Sequence, residues 1–352
     1  MYAKTKLTLA LGVINLMFVA TSQAGVVRDE SGKAVEPAAP VDATADPVPS
    51  GKGWGERRET GNAPSTSPEI ANPTSISPFL KMVPGGKGWG EHPDAGNAAS
   101  KGARTTSNGI NYRGGPLILG TTNVYYIWYG NWSGNTALTI LNNFASSIGG
   151  SPYFNINTTY YDGSNRHVTN SVANVKSVDD NGSLGTALTD ANVKTVVANA
   201  IGSGALPSDS NAVYFVLTSA DVNETSGFCT QYCGWHTHGL INGADIKYSF
   251  VGNPARCPSA CAAQTTSPNG NAGADGMASI IAHELEEAVT DPDLNAWYDT
   301  RGYENADKCA WTFGATKTAA NGAKYNMTLG SMNYLIQRNW VNASGGYCAS
   351  SY

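Results

Sequence analysis

Apolar residues keep no steady period over residues 25–107, where neither a 3.6-residue nor a two-residue repeat is sustained and Pro, Ala, Gly, Ser and Thr dominate. That stretch is expected to be a disordered low-complexity linker or pro-segment. One phrase occurs in it twice, as Gly51-Lys52-Gly53-Trp54-Gly55-Glu56 and as Gly86-Lys87-Gly88-Trp89-Gly90-Glu91. Two copies do not make a solenoid. They read either as a short adhesive motif whose Trp meets a partner or as duplication in a segment that nothing requires to fold.

Periodic patterns begin near Asn108. Residues 117–119 and 123–129 are β-branched and aromatic runs bounded by Gly120 and by Gly130-Asn131, which predicts strands ended by turns. Residues 138–148 and 190–200 have helical spacing, the second with Asp190 as N-cap, and 212–217 is a short apolar run of buried-strand character. Strands alternating with helices predict an α/β or α+β fold, a single mixed-sheet domain over 108–352. That length is enough for a sizeable core.

The most informative pattern starts at Asp275 and reads DGMASIIAHELEEAVTDPD. Asp275 can cap a helix, Pro292 ends it, and Met277, Ile281, Leu285 and Ala288 form one apolar stripe. His283 and Glu287, four residues apart, then stack on another face, with Glu284 beside them. A catalytic zinc helix has this form: two ligands at i and i+4, plus a carboxylate that takes a proton from the metal-bound water. The motif here is His-Glu-x-x-Glu rather than His-Glu-x-x-His. A carboxylate is a harder ligand than imidazole and lowers the ion's net charge, which makes bound water less acidic.

Candidates for a third ligand are Glu304, Asp291, His236 and His238; His236 and Glu304 are favoured because each adjoins a cysteine. The expected site is therefore His283, Glu287 and one of His236 or Glu304 as metal ligands, with Glu284 as general base. The plainer alternative makes Glu284, Glu286 and Glu287 the acidic solvated face of a surface helix. No phosphate-binding loop, Gly-x-Ser-x-Gly elbow or EF-hand spacing occurs.

Composition narrows the setting. Of 352 residues only 14% are charged and the net charge is −5, which excludes a broad basic footprint for nucleic acid. Lys4 and Lys6, an apolar run over 7–20 and Ser22-Gln23-Ala24 form a secretory signal, so cleavage is expected after Ala24. The run is too short for a spanning helix, and no later stretch could span a membrane. An exported chain with six cysteines, Cys229, Cys233, Cys257, Cys261, Cys309 and Cys348, is expected to form three disulfides, of which only Cys309–Cys348 is named in advance. Asn131, Asn157, Asn181, Asn223, Asn326 and Asn342 begin N-glycosylation acceptor sequences.

Residues from about 111 to the C-terminus resemble the EXORDIUM or phosphate-induced protein family. The resemblance is carried by Tyr112-Arg113-Gly114-Gly115-Pro116-Leu117, Ile127-Trp128-Tyr129-Gly130, Cys233-Gly234-Trp235-His236, Val251-Gly252-Asn253, Ser267-Pro268-Asn269-Gly270, Ile281-Ala282-His283-Glu284 with Glu287, Asn295-Ala296-Trp297-Tyr298, Glu304 with Ala306-Asp307 and Tyr334-Leu335-Ile336-Gln337. It implies an extracellular, wall-associated protein, connected in plants with growth and with brassinosteroid or carbon responses. Members differ at the His-Glu helix; those that keep it look zincin-like. The repeat-bearing segment departs from the plant pattern.

Two functions remain open from sequence. The first is a secreted zinc-dependent, peptidase-like hydrolase acting on a peptide substrate. The second is a non-catalytic protein that binds a wall or matrix component through aromatics such as Trp297, Tyr298 and Trp311.

Overall fold

The computed structural model describes residues 109–352. The expected signal (1–24) and the linker (25–107) with both copies of the repeat lie outside the described residues. Five strands form one mixed sheet: β1 (Thr122–Tyr129), β2 (Val172–Asp180), β3 (Ala212–Thr218), β4 (Gly234–Ile241) and β5 (Ala244–Val251). Their spatial order is β2-β1-β3-β5-β4, parallel throughout except for the antiparallel pair β4–β5.

Burial explains which strands the pattern revealed. In central β1 and β3 nearly every residue is buried, so both read as continuous apolar runs. Edge strand β2 is mostly half-buried or exposed, and Lys176, Asp179 and Asp180 hide its character. The β4–β5 hairpin turns at Asn242-Gly243, whose φ values of 52° and 81° suit a type I′ turn. Residues 117–119, expected as a strand, pair with no strand; the Ile118 N–H instead donates to the Val289 carbonyl at 3.1 Å.

Three longer helices pack on the sheet: α1 (Ala137–Ile148), α2 (Asp190–Gly202) and α3 (Ala272–Thr290). α1 packs against α3, and α3 against β4 and β5. The cap of α2 is Thr189, one residue earlier than expected, in a reciprocal capping box with Asn192. α3 starts at Ala272, with Asn271 as its cap accepting from the Ala274 N–H; Asp275 lies inside the first turn.

The larger correction concerns the sides of α3. It is buried on all sides, and Glu284, Glu286 and Glu287 are each 0% exposed, so the solvated-face alternative fails.

Disulfides join Cys229–Cys257, Cys233–Cys261 and the expected pair Cys309–Cys348. The first two fasten the entry to β4 onto the segment that leads into α3. Asn157 is fully buried, with its side-chain oxygen facing the Asn305 and Asn339 amides, so it cannot carry a glycan in the folded chain. Among the described residues no helix is long and apolar enough to cross a membrane.

Candidate metal centre

β4 alternates its side chains, so His236 and His238 share one face of the strand. His236 points into the core toward α3. The close approach requires a glycine two residues earlier: a Cβ on Gly234 would lie 2.6 Å from Ile280 Cγ2, 2.8 Å from the Phe250 carbonyl and 3.2 Å from Glu284 Oε1. On α3, the helical period brings His283, Glu284 and Glu287 toward this strand and toward the loop that carries Glu304 and Asp307.

The donors meet in two trios that share Glu287. In the first, His236 Nδ1 is 3.4 Å from Glu284 Oε2 and 3.6 Å from Glu287 Oε2. In the second, His283 Nε2 is 3.1 Å from Glu287 Oε1 and 3.5 Å from Asp307 Oδ1. Glu304 lies on the far side of the His236 ring, with Oε1 3.6 Å from Nε2.

Most of these separations are too long for hydrogen bonds, which cluster near 2.9 Å. They match the edge of a tetrahedron of ligands about 2.1 Å from a shared zinc ion, which is about 3.4 Å long.

The surroundings fit a cation. His236 is 1% exposed and neither ring nitrogen makes a hydrogen bond; Glu287 Oε2 is likewise buried without one. Buried polar atoms normally find partners, and these three are placed where they could serve a metal ion as ligands. Burial works against the Glu287 carboxylate, but the charges of the neighbouring His283 and His236 rings hold it down at about 2. It is therefore ready to bind a metal at any ordinary pH. Its Oε1 also accepts the Asp307 N–H at 3.0 Å, which fixes its orientation.

Glu286, on the other side of α3, plays no part in either trio: burial pushes its carboxyl well up, and its Oε2 accepts from the Asn339 amide.

Two sequence candidates lie outside both trios. His238 sits nearer the surface with Asp245 (2.8 Å) and Asp293 (3.6 Å), where the Lys247 ammonium already supplies the cation, 2.7 Å from Asp245 and 3.5 Å from Asp293. Asp291 caps α3 and accepts the Ala296 N–H. Asp307 was not among the sequence candidates. Its one signal was its place two residues before Cys309, which the disulfide to Cys348 anchors.

Burial lifts the Asp291 carboxyl to about 7, against the opposing hydrogen bond from Ala296 and the charge on His236. An unfolded aspartate ionises near 4, so between about 4 and 7 the folded chain keeps a proton that the unfolded chain releases. Stability of the metal-free protein therefore falls as pH rises through that window, and the loss is complete above it. Asp291→Asn should flatten this part of the profile; urea midpoints that change with pH as steeply as wild type would contradict it.

Comparison with known proteins covers most of the described chain. The family model described as "Phosphate-induced protein 1 conserved region" matches residues 110–348. Protein EXORDIUM-like 3 of Arabidopsis thaliana is 32% identical over 292 residues, covering 71% of this chain and 86% of the relative. Protein EXORDIUM-like 5 of the same plant is 31% identical over 66% of this chain and 75% of its own length. Protein PHOSPHATE-INDUCED 1 of Nicotiana tabacum is 28% identical over 54% of this chain and 67% of its own length. Among solved structures, metalloproteinase-II from Bacteroides fragilis aligns over 58% of this chain and 55% of its own at 14% identity and a TM-score of 0.26, a likeness too slight to bear on the site.

Proposed function

Because this chain belongs to the EXORDIUM and phosphate-induced protein 1 family, we propose that it is a secreted member whose His-Glu-x-x-Glu helix holds zinc and carries a peptidase-like hydrolytic site. The observation that supports this most is the His236 ring, sealed in the core without a hydrogen bond and facing carboxylates of Glu284, Glu287 and Glu304 at 3.4–3.6 Å. Export is supported by the signal-like N-terminus and by three disulfides, which persist in oxidising compartments.

His283, His236 and Glu287 are the proposed ligands: one Glu287 oxygen faces each ring, and the two histidines, which lie in separate trios, would have to close toward Glu287 to share one ion. Asp307 orients Glu287 through its backbone N–H. A zinc ion held there supplies Lewis acidity, lowering the pKa of water to about 7 and polarising a carbonyl. Glu284, one residue from His283, serves as the base that accepts a proton from water and returns it to the leaving group. Glu287 cannot exchange protons near neutral pH, because its carboxyl is held at about 2.

Glu284→Gln is expected to keep its zinc and to lose about 10²- to 10⁴-fold in hydrolysis of a casein peptide mixture. Equal cleavage by wild type and variant would refute the role of Glu284.

One observation favours a second reading. His236, His283, Glu284 and Glu287 are 0–1% exposed, so the centre is closed. In that reading zinc is an internal staple and the protein acts by binding an extracellular wall or matrix component. Zinc-loaded wild type that cleaves nothing, yet unfolds at lower temperature when chelated, would select it.

A further inference from the structure

We propose that a cleft beside the N-terminal half of α3 binds a neutral sugar ring. The cleft is shallow and open to solvent on one side; Asp275, Ile280, Trp311, Phe313, Leu335 and Gln337 are among its lining residues. It stands independently of the metal centre, because none of the zinc donors lines it.

Two buried donors carry the argument. Gln337 is 1% exposed, and its Oε1 accepts the Trp311 backbone N–H at 2.5 Å, which fixes the amide so that Nε2 is its remaining donor. That Nε2 has no acceptor, and neither does the buried indole Nε1 of Trp311. Two buried N–H groups without acceptors, on residues lining one cleft, are left with an uncompensated desolvation cost. An oxygen of a ligand relieves that cost.

The rest of the lining selects the ligand. It contains no Lys, Arg or His, so an anion would find no counter-charge beside the Asp275 carboxylate. Asp275, already held by Ser267 and Asn269, can only accept further hydrogen bonds while ionised, whereas Gln337 Nε2 and Trp311 Nε1 can only donate. Hydroxyl groups serve both needs.

The Trp311 and Phe313 rings, 6.5 Å apart at 72°, offer apolar faces to ring C–H groups. Trp311 is held for this at a left-handed φ of 56°, sparsely populated for an aromatic residue, by the Gln337 bond and by the Cys309 disulfide two residues away. A peptide that adds to a strand edge is held through its main chain. Here the unsatisfied groups are side chains, which suits hydroxyls spread around a ring.

The test follows the Trp311 indole N–H by ¹⁵N NMR in the zinc-loaded mature chain, the resonance being identified with Trp311→Phe. Cellohexaose, xylohexaose, chitohexaose and mannohexaose are titrated in turn, with hexagalacturonate as the anionic control. At least one neutral saccharide should shift the signal and hexagalacturonate should not. Gln337→Glu keeps the acceptor for the Trp311 backbone and removes the donor, so it should weaken that saccharide about tenfold or more, as loss of a buried hydrogen bond does. Should that variant fail to fold, Trp311→Phe read through the Gln337 side-chain amide carries the same expectation. The proposal is overturned by no shift with any of the four, by a casein-derived peptide that shifts the signal where no saccharide does, or by wild-type affinity in the variant.

Discussion

Glutamine at position 287 should leave the protein folded and without zinc. Glu287 is the only donor shared by both trios, and one of its oxygens faces each imidazole. An amide is a far weaker zinc ligand than a carboxylate of the same shape, so both trios are disabled together. The apoprotein should lose some stability, because the carboxylate held at about 2 is favoured in the fold by its neighbouring histidines, so the diagnostic readout is the response to zinc rather than the melting temperature itself.

The effect therefore appears as lost response. At free zinc about 100-fold above the dissociation constant, binding stabilises wild type by about 2.7 kcal/mol. For a domain of this size that corresponds to a melting shift of about 5–10 °C. Wild type should lose this shift on chelation, whereas Glu287→Gln should melt at one temperature with or without zinc. A zinc-dependent shift that survives the substitution would remove Glu287 from the site.

The second large effect should come from Cys233→Ala with Cys261→Ala. Their disulfide spans 28 residues and ties the residue just before β4 to the segment leading into α3. Opening a loop of that length costs about 3–4 kcal/mol, or about 10 °C in melting temperature. Both sulfurs are buried, so alanine avoids placing unsatisfied hydroxyls in the core. His236 lies three residues beyond Cys233, and zinc affinity should weaken roughly tenfold as its orientation loosens. An unchanged melting temperature would show that the neighbouring Cys229–Cys257 bond holds this junction alone.

The sequence was most legible where local pattern and tertiary role agree. β1, β3, α1 and α2 appeared at nearly their final positions because their burial follows the period of their own elements. The stacking of His283 on Glu287 was also readable, since it depends only on the helical period. What surrounds α3 was not. Asn305 donates to the Glu286 carbonyl and Asn339 to its carboxylate, so the cover over this helix comes from residues 19 and 53 positions away.

The same distance hid Asp307, which opens a single 3-10 turn too short to show a period in the sequence. The β4–β5 hairpin did leave a local sign in Asn242-Gly243, and with it the placing of His236 on an inward face could have been inferred. Exposure of the glutamates was misjudged as an alternative because acids on a helix normally face water.

Zinc content of the purified mature chain tests the central claim most directly. After refolding in zinc and removal of loosely bound metal, elemental analysis should find about one zinc per chain in wild type, as a tetrahedral protein site requires. Glu287→Gln, prepared alongside, should hold almost none. A folded wild-type chain that retains no zinc, or a variant that retains as much as wild type, would contradict the account.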